Sequence, residues 1–171
     1  GYSNFKLKKY ESSASAFEKF LKNDSIESTV KDDALIRLGD SYFASKKYKN
    51  AIKSYQNIVN NFGGGSDYAQ FQIGMIYGFT GENEKKVDAL TKVVNDFQVS
   101  SLKDDALFQI ANTYTTLKNI EKAHQAYNRL LDRHPKSIFI PKALVRQGLL
   151  FYNQNKGDDA LMRFKQVTSQ Y

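Results

Sequence analysis

The chain has 171 residues, no cysteine and a formal net charge of +7. No apolar run approaches the ~18 residues that a membrane-spanning helix needs, and without cysteine neither a disulfide nor a thiolate metal site can form. With 41% apolar residues, the composition suffices for the core of one folded domain covering 1–171.

Helical spacing of apolar residues continues along the whole chain. In chain order it predicts helices over about 32–46, 48–61, 66–79, 84–97, 103–117, 121–133, 139–154 and 158–170. No segment alternates apolar and polar residues over the length of a strand, so we expect no sheet. The prediction is an all-α protein.

These helices form repeated pairs. Residues Lys31–Leu35 read KDDAL and return unchanged at Lys103–Leu107. Such self-similarity is typical of stacked helical repeats, in which each unit buries its apolar face against its neighbours. We predict a right-handed superhelical solenoid of antiparallel helix pairs, with a partial repeat over 1–30 and full repeats over 31–63, 64–98, 99–136 and 137–171.

Two columns of the aligned repeats predict how the paired helices pack. A bulky side chain on one helix needs a gap on the facing helix, and glycine or alanine leaves that gap. The small column holds Gly1, Gly39, Gly74, Ala111 and Gly148, and the large column holds Phe17, Tyr55, Leu90, Tyr127 and Phe164.

The alignment also predicts local details. The aspartates of the KDDAL segments are placed to cap the first helix of their repeat. Lys86 stands in a small-residue column, so we expect its stem to be buried and its ammonium to reach water. Repeat 64–98 is predicted to be the least stable, because glycines 63–65 lie at its start and Gly78 and Gly81 lie inside it. Tyr171 is expected to close the last repeat.

Leu38-Gly39-x2-Tyr42 followed by Ala51-x3-Tyr55 resembles the tetratricopeptide repeat. In that family the first helices of successive repeats line a concave surface that binds peptides or partner domains. Carried over residue by residue, the resemblance places there Ile36, Asp40, Phe43, Phe71, Met75, Gly78, Phe108, Asn112, Thr115, Val145, Leu149 and Tyr152.

We expect the partner-binding residues to be Asp40, Phe43, Phe71, Met75, Phe79, Phe108, Asn112, Thr115 and Leu149. Phe71, Met75 and Phe108 are the predicted apolar anchors, with Asp40 and Asn112 fixing a backbone or a basic side chain. The predicted function is a scaffold that binds a protein or peptide, with no small-molecule substrate. Alternatively, several of these residues are helix–helix core and the chain is a structural spacer.

Much of the positive charge falls at the turns between paired helices. Lys46, Lys47, Lys118 and Lys156 occupy two adjacent columns and would line one basic edge. This edge either keeps the protein in solution or docks an anionic partner. A basic helical-repeat nucleic-acid binder is the weaker alternative, because the aromatic residues that would stack on bases stand in core columns.

Patterns for catalysis or metal binding are lacking. Gly63-Gly64-Gly65-Ser66 has no following Gly-Lys-Ser/Thr and is no phosphate-binding loop. His124 and His134 stand on one predicted helix, ~15 Å apart, too far to ligate one metal. We predict no enzyme, no catalytic residue, no metal site and no cofactor.

Tyr48, Ala51, Tyr55, Ile58 and Phe62, then Ala69, Gly74 and Tyr77, resemble the bacterial envelope subgroup of the family, which includes TolA-binding proteins and an outer-membrane assembly lipoprotein. That resemblance implies a periplasmic scaffold, anchored to the outer membrane through a segment outside this sequence; a cytoplasmic location is the alternative. The ends suggest a piece of a longer array, whose uncovered apolar faces would self-associate.

Overall fold

The computed structural model describes residues 1–23 and 25–170, without the side chain of Gln170. These residues form ten helices and no strand, which confirms the all-α prediction. Tyr171, expected to close the last repeat, lies outside the described residues. The chain divides into two compact units, residues 1–93 and 94–171, and each is described by itself.

The helices follow one another closely along the chain. None of the described helices has the length and hydropathy to cross a membrane. Their bounds are α1 (Tyr2–Lys6), α2 (Tyr10–Phe20), α3 (Ser28–Ala44), α4 (Tyr48–Asn60), α5 (Ser66–Phe79), α6 (Asn83–Asp96), α7 (Lys103–Thr116), α8 (Ile120–Arg133), α9 (Ile140–Asn153) and α10 (Gly157–Gln170).

Paired helices are joined by turns of three residues each, at 7–9, 45–47, 80–82, 117–119 and 154–156. A connection this short returns the second helix antiparallel to the first. The eight helices predicted beyond residue 31 are all present. The largest deviation is α3, which begins at Ser28, four residues before its expected start.

The predicted packing of small against large residues is confirmed. A Cβ added to Gly39 would lie 2.5 Å from Cε1 of Tyr55, and one added to Gly148 would lie 2.6 Å from Cε1 of Phe164. A Cβ added to Gly74 would lie 2.8 Å from Cγ of Leu90. Any larger residue would push the paired helices apart, so these glycines set the interhelical distance.

The prediction that the KDDAL aspartates cap helices is wrong. The N-cap residues of α3 and α7 are Glu27 and Leu102, and neither makes a side-chain capping bond. Instead, Asp32 Oδ2 accepts a hydrogen bond from the Gly64 amide at 2.8 Å, and Asp104 Oδ2 accepts one from Ser137 Oγ at 2.6 Å.

Both of these bonds tie the start of a first helix to the loop after its second helix. In α3 the cap was misplaced because the helix begins a full turn earlier than its apolar pattern, which leaves Asp32 inside the helix. Asp104 and Asp105 do lie in the first turn of α7, where negative charge suits the helix dipole.

Lys86 on α6 packs against α5. Its Cδ would lie 2.9 Å from a Cβ added to Gly78, and the residue is half-buried. The aliphatic stem therefore covers the space that the glycine leaves, as expected of a lysine in a small-residue column.

Candidate binding surface

Asp40 lies on α3 with both carboxylate oxygens engaged. Oδ1 accepts hydrogen bonds from the hydroxyls of Tyr55 at 2.7 Å and Tyr68 at 2.9 Å. Oδ2 lies 3.3 Å from Nη1 of Arg37. The side chain is only 12% exposed. Asp40, predicted to contact a partner, is thus the acceptor of a hydrogen-bond cluster within residues 1–93.

Asn112 occupies the equivalent position on α7. Its Oδ1 accepts a hydrogen bond from the hydroxyl of Tyr127 at 2.8 Å. Tyr127 is fully buried, as Tyr55 is. A buried phenol needs a partner for its hydroxyl, and the residue fifteen positions earlier provides it in both repeats.

A signal for this role was present in the sequence but not used. The column that contains Asp40 is polar only where the large column carries a hydroxyl. The polar pairs are Asp40 with Tyr55 and Asn112 with Tyr127, whereas the apolar pairs are Met75 with Leu90 and Leu149 with Phe164. The pairing assigns Asp40 and Asn112 a structural function, whatever else they contact.

Burial keeps the phenols that bond Asp40 and Asn112 neutral. It raises the pKa of Tyr55 and of Tyr127, and burial together with the negative charge of Asp40 raises the pKa of Tyr68 to about 12. All three hydroxyls therefore remain hydrogen-bond donors at neutral pH.

The apolar residues predicted on α3 and α5 divide into buried and exposed ones. Phe71 is only 7% exposed, and Met75 is half-buried. Phe43 and Phe79 contact each other with ring centroids 5.5 Å apart, and Phe79 is 63% exposed. Within residues 1–93, the most exposed of these predicted apolar residues is therefore Phe79, in contact with the half-buried Phe43.

On α7 the predicted residues are largely engaged. Phe108 is 7% exposed and stacks on Phe139 with a centroid distance of 5.1 Å. The guanidinium of Arg146 lies 5.8 Å from the Phe108 centroid. Thr115 Oγ1 donates to the carbonyl of Ala111 at 3.0 Å. Phe108 thus packs between α7 and α9, which leaves little of the ring for a partner.

One face of α9 presents apolar side chains to solvent. Val145, Leu149 and Tyr152 are 39%, 49% and 67% exposed. Their spacing of four and three residues places them on one face of the helix; we call this set the α9 stripe. Leu149 was among the expected partner-binding residues, and the resemblance also placed the other two on the concave surface.

The lysines of the predicted basic edge are turn residues. Lys46 and Lys118 adopt φ values of 60° and 56°, in the left-handed region that favours glycine. The following amides, of residues 47 and 119, donate to the carbonyls of Tyr42 at 2.8 Å and Tyr114 at 2.9 Å and so close the helix ends.

The two remaining lysines of that set are also exposed at turns. Lys47 pairs with Glu11 at 2.9 Å, and the Lys156 amide donates to the carbonyl of Phe151 at 3.0 Å. Exposed pairs of this kind contribute only about 0–1 kcal/mol. These lysines supply charge at the turns, but no stacking aromatic accompanies them among the described contacts.

His124 is a packing residue between α8 and α9. Its ring stacks on Phe151 with a centroid distance of 4.2 Å, and Nε2 lies 3.3 Å from Oε1 of Gln154. Burial lowers its pKa, so the imidazole is neutral at pH 7.

Paired helices, uniform turns and an exposed apolar stripe define a helical-repeat protein of the kind that binds other proteins. The sequence profile of the tetratricopeptide repeat matches residues 33–64, 105–137 and 142–171, more than half of the chain. The chain belongs to the tetratricopeptide repeat family. Comparison with curated proteins finds no match.

Solved structures agree in fold. A crystal structure of MamA is 21% identical, with 98% of this chain and 91% of that chain covered and a TM-score of 0.76. MamA 41-end from Desulfovibrio magneticus RS-1 is 13% identical, covering 98% and 89%, with a TM-score of 0.72. The apo form of RapI is 19% identical, covering 98% and 66%, with a TM-score of 0.78.

Proposed function

We propose that this protein is a non-enzymatic scaffold that binds an amphipathic peptide segment of a partner protein. The observation that carries the proposal is the α9 stripe: three large apolar side chains exposed on one face of one helix. Family membership supports a binding function, and exposed apolar patches of this kind are typical of interaction sites.

The charges beside the stripe define the partner further. Lys142 and Arg146 are exposed on α9, each three residues before a member of the stripe, Val145 and Leu149. A complementary segment would present apolar side chains to the stripe and acidic side chains to these two cations. The Phe43–Phe79 pair is a second apolar contact that such a partner could use. The predicted anchor roles of Phe71 and Phe108 stay predictions, with little exposed surface to support them.

Peptides selected from a random library against the protein test this proposal. Leu149→Asp and Tyr152→Ser should each weaken the selected peptides by about 30-fold, which corresponds to loss of one anchor contact. Val99→Asp is the matched control, because Val99 is 99% exposed but lies in the loop after α6 and not in the stripe. A structural spacer would yield no peptide whose affinity depends on the stripe.

The basic residues should contribute only modestly to the affinity for the peptide. Lys142→Glu should slow association and reduce its salt dependence, whereas charge reversal of Lys46 and Lys47 should have a smaller effect. A steep loss of affinity with salt, governed by the turn lysines, would instead favour an anionic ligand such as nucleic acid.

The setting we propose is the bacterial cell envelope, with the protein in the periplasm and a role in envelope assembly. Support for this comes from the resemblance of the repeat shape, at Tyr48, Ala51 and Tyr55, to the envelope subgroup. Cytoplasmic location is the alternative, and cell fractionation of the native gene product distinguishes the two.

We also propose weak self-association. Leu161 and Met162 on α10 are half-exposed apolar residues that a second copy could cover. Sedimentation equilibrium should show association that Leu161→Glu abolishes; a strict monomer at all concentrations would refute it.

A further inference from the structure

We propose that one edge of the first unit docks on a lipid bilayer that contains anionic lipids. This first-unit edge consists of the three helix–helix turns within residues 1–93 and the helix ends beside them, at 6–9, 43–49 and 79–82. Apolar side chains of the edge enter the interfacial layer of the bilayer, and the lysines around them face the headgroups. The proposal does not depend on the α9 stripe, which lies in the second unit.

Contacts between neighbouring helix pairs hold the three turns together. Lys47, in the turn after α3, pairs with Glu11 at 2.9 Å, and Glu11 is the second residue of α2. Phe43, one residue before the end of α3, lies with its ring centroid 5.5 Å from that of Phe79, the last residue of α5. The ends of three successive helix pairs therefore adjoin and form one surface.

The lysines at the centre of two of these turns adopt an unfavourable conformation. Lys8 and Lys46 have φ values of 58° and 60°, in the left-handed region, and the equivalent residue of the third turn is Gly81. Glycine adopts this region at a lower cost than lysine. Both lysines are exposed, and neither forms an ion pair with another described residue. Contacts within the described protein therefore do not account for a lysine at these positions, whereas an anionic partner does.

The first-unit edge as a whole is positively charged. Glu11 and Glu82 already pair with Lys47 and Lys85, so they do not neutralise the other cations. Apart from Lys47, the lysines of the edge make no ion pair with a described residue. The exposed lysines are Lys6, Lys8, Lys9, Lys46, Lys47 and Lys49. Such a concentration of cations attracts an anionic surface.

Two large apolar side chains are exposed among these lysines. Leu7 is 64% exposed and Phe79 is 63% exposed. The residues equivalent to Leu7 in the next two turns are Ser45 and Thr80, whose hydroxyls donate to carbonyls one helical turn earlier, at 2.8 and 3.2 Å. Leu7 has no hydroxyl to make such a bond and is not buried in exchange. Exposed apolar side chains of this kind are stabilised only when another apolar phase or surface covers them.

The residue types favour a bilayer over a nucleic acid or an acidic peptide. Arginine recognises single phosphates and carboxylates with paired hydrogen bonds. The one arginine of residues 1–93, Arg37, is already occupied by the carboxylates of Asp33 at 3.4 Å and Asp40 at 3.3 Å. The cations of the edge are all lysines, and a lysine is a point charge on a long apolar stem that suits a diffuse anionic surface. Leu7 cannot stack on a base, but it can enter a lipid interface.

The test is cosedimentation of the full chain with vesicles of phosphatidylcholine, either pure or mixed with phosphatidylglycerol. The protein should bind the mixed vesicles and not the neutral ones, and binding should weaken as salt is raised. Lys8→Gln combined with Lys46→Gln should weaken binding about 25-fold, because each lysine near the bilayer surface contributes about fivefold. Lys22→Gln combined with Lys31→Gln is the matched control, because it removes the same charge from the opposite ends of α2 and α3. This control should weaken binding less than about threefold.

Tryptophan substitutions test whether the apolar side chains enter the bilayer, since the chain contains no tryptophan. The emission of Phe79→Trp should shift to shorter wavelength on the mixed vesicles, because the indole leaves water. Phe62→Trp is the control and should not shift, because Phe62 is 91% exposed but lies in the loop at the other end of α4. Leu7→Ser should weaken binding about fivefold while leaving its salt dependence unchanged.

Three results would overturn the proposal. The first is that phosphatidylglycerol does not increase binding to the vesicles. The second is an equal loss of binding in the two double-lysine variants, which would make the attraction one of net charge and not of this edge. The third is unshifted emission of Phe79→Trp on the mixed vesicles. If a single-stranded oligonucleotide then binds through Lys8 and Lys46, the edge is a nucleic-acid site instead.

Discussion

Alternate repeats of this protein use the same helix position for different purposes. In the pairs α3–α4 and α7–α8, Asp40 and Asn112 accept hydrogen bonds from buried tyrosines. In α5–α6 and α9–α10 the equivalent residues are Met75 and Leu149, and Leu149 is half-exposed. In the first kind this residue satisfies a hydroxyl of the repeat's own core. In the second kind it is apolar, and at Leu149 it belongs to the surface proposed to bind a partner.

The difference follows from one atom in the large column. Tyr55 and Tyr127 carry a hydroxyl that must be satisfied, whereas Leu90 and Phe164 do not. Because the acceptor has to lie on the facing helix, the hydroxyl dictates a polar residue there. Repeats without the hydroxyl are free to vary this position, and binding function is expected in those repeats.

The largest effect is expected at Asp40. Asp40→Leu should lower the free energy of unfolding by about 3 kcal/mol, because it leaves buried tyrosine hydroxyls without an acceptor. Adding Tyr55→Phe should recover about 1 kcal/mol or more, since one of those hydroxyls is then gone. Urea denaturation measures both. A double variant no more stable than Asp40→Leu alone would contradict the pairing.

Asn112 should behave in the same way on a smaller scale. Asn112→Leu should cost about 1–2 kcal/mol, and Asn112→Leu with Tyr127→Phe should return close to the wild-type stability, because the pair then matches the apolar repeats. Thermal unfolding of the wild type, the two single variants and the double variant gives the coupling energy between Asn112 and Tyr127. Additive costs would show that the two residues act independently.

Alkaline pH should weaken the hydrogen-bond cluster that Tyr55 and Tyr68 form with Asp40. The raised pKa values mean that the folded state holds the phenol protons more tightly, so stability is fully present below the unfolded value near 10. It should fall as pH rises through 10 towards about 12, the pKa of Tyr68. Tyr68→Phe should remove on the order of 1 kcal/mol of this loss. Equal pH dependence in both proteins would exclude Tyr68 as a source.

The smallest effect is expected at the turns. Lys46→Gly and Lys118→Gly should each stabilise by about 0.5 kcal/mol, because relief of left-handed strain outweighs the added freedom of the unfolded chain. Gly81 has a φ of 80° in the same column, so Gly81→Lys should destabilise by a similar amount. Calorimetry checks all three, and destabilisation by Lys46→Gly would contradict the strain argument.

Features set by local spacing were predictable from sequence. The contact of Gly39 with Tyr55 followed from a column of small residues opposite large ones, and the helices followed from their apolar period. The start of α3 was not predictable because no capping side chain marks it, and the aspartates of KDDAL were therefore assigned the wrong partners.

The candidate site was less accessible to sequence reasoning. The burial of Phe71 and Phe108 depends on neighbouring helices, which a single-chain pattern does not locate. Asp40 bonds residues fifteen and twenty-eight positions away, so its function appears only when columns are compared across repeats.

The most direct test of the difference between the repeats exchanges the residue types of one column. For one selected peptide, affinity and unfolding free energy are measured in Leu149→Asn and in Asn112→Leu. Leu149→Asn should bind about tenfold more weakly or worse with stability nearly unchanged, and Asn112→Leu should keep its affinity while losing stability. The reverse pattern, with binding lost in a stable Asn112→Leu protein and retained in Leu149→Asn, would contradict the account.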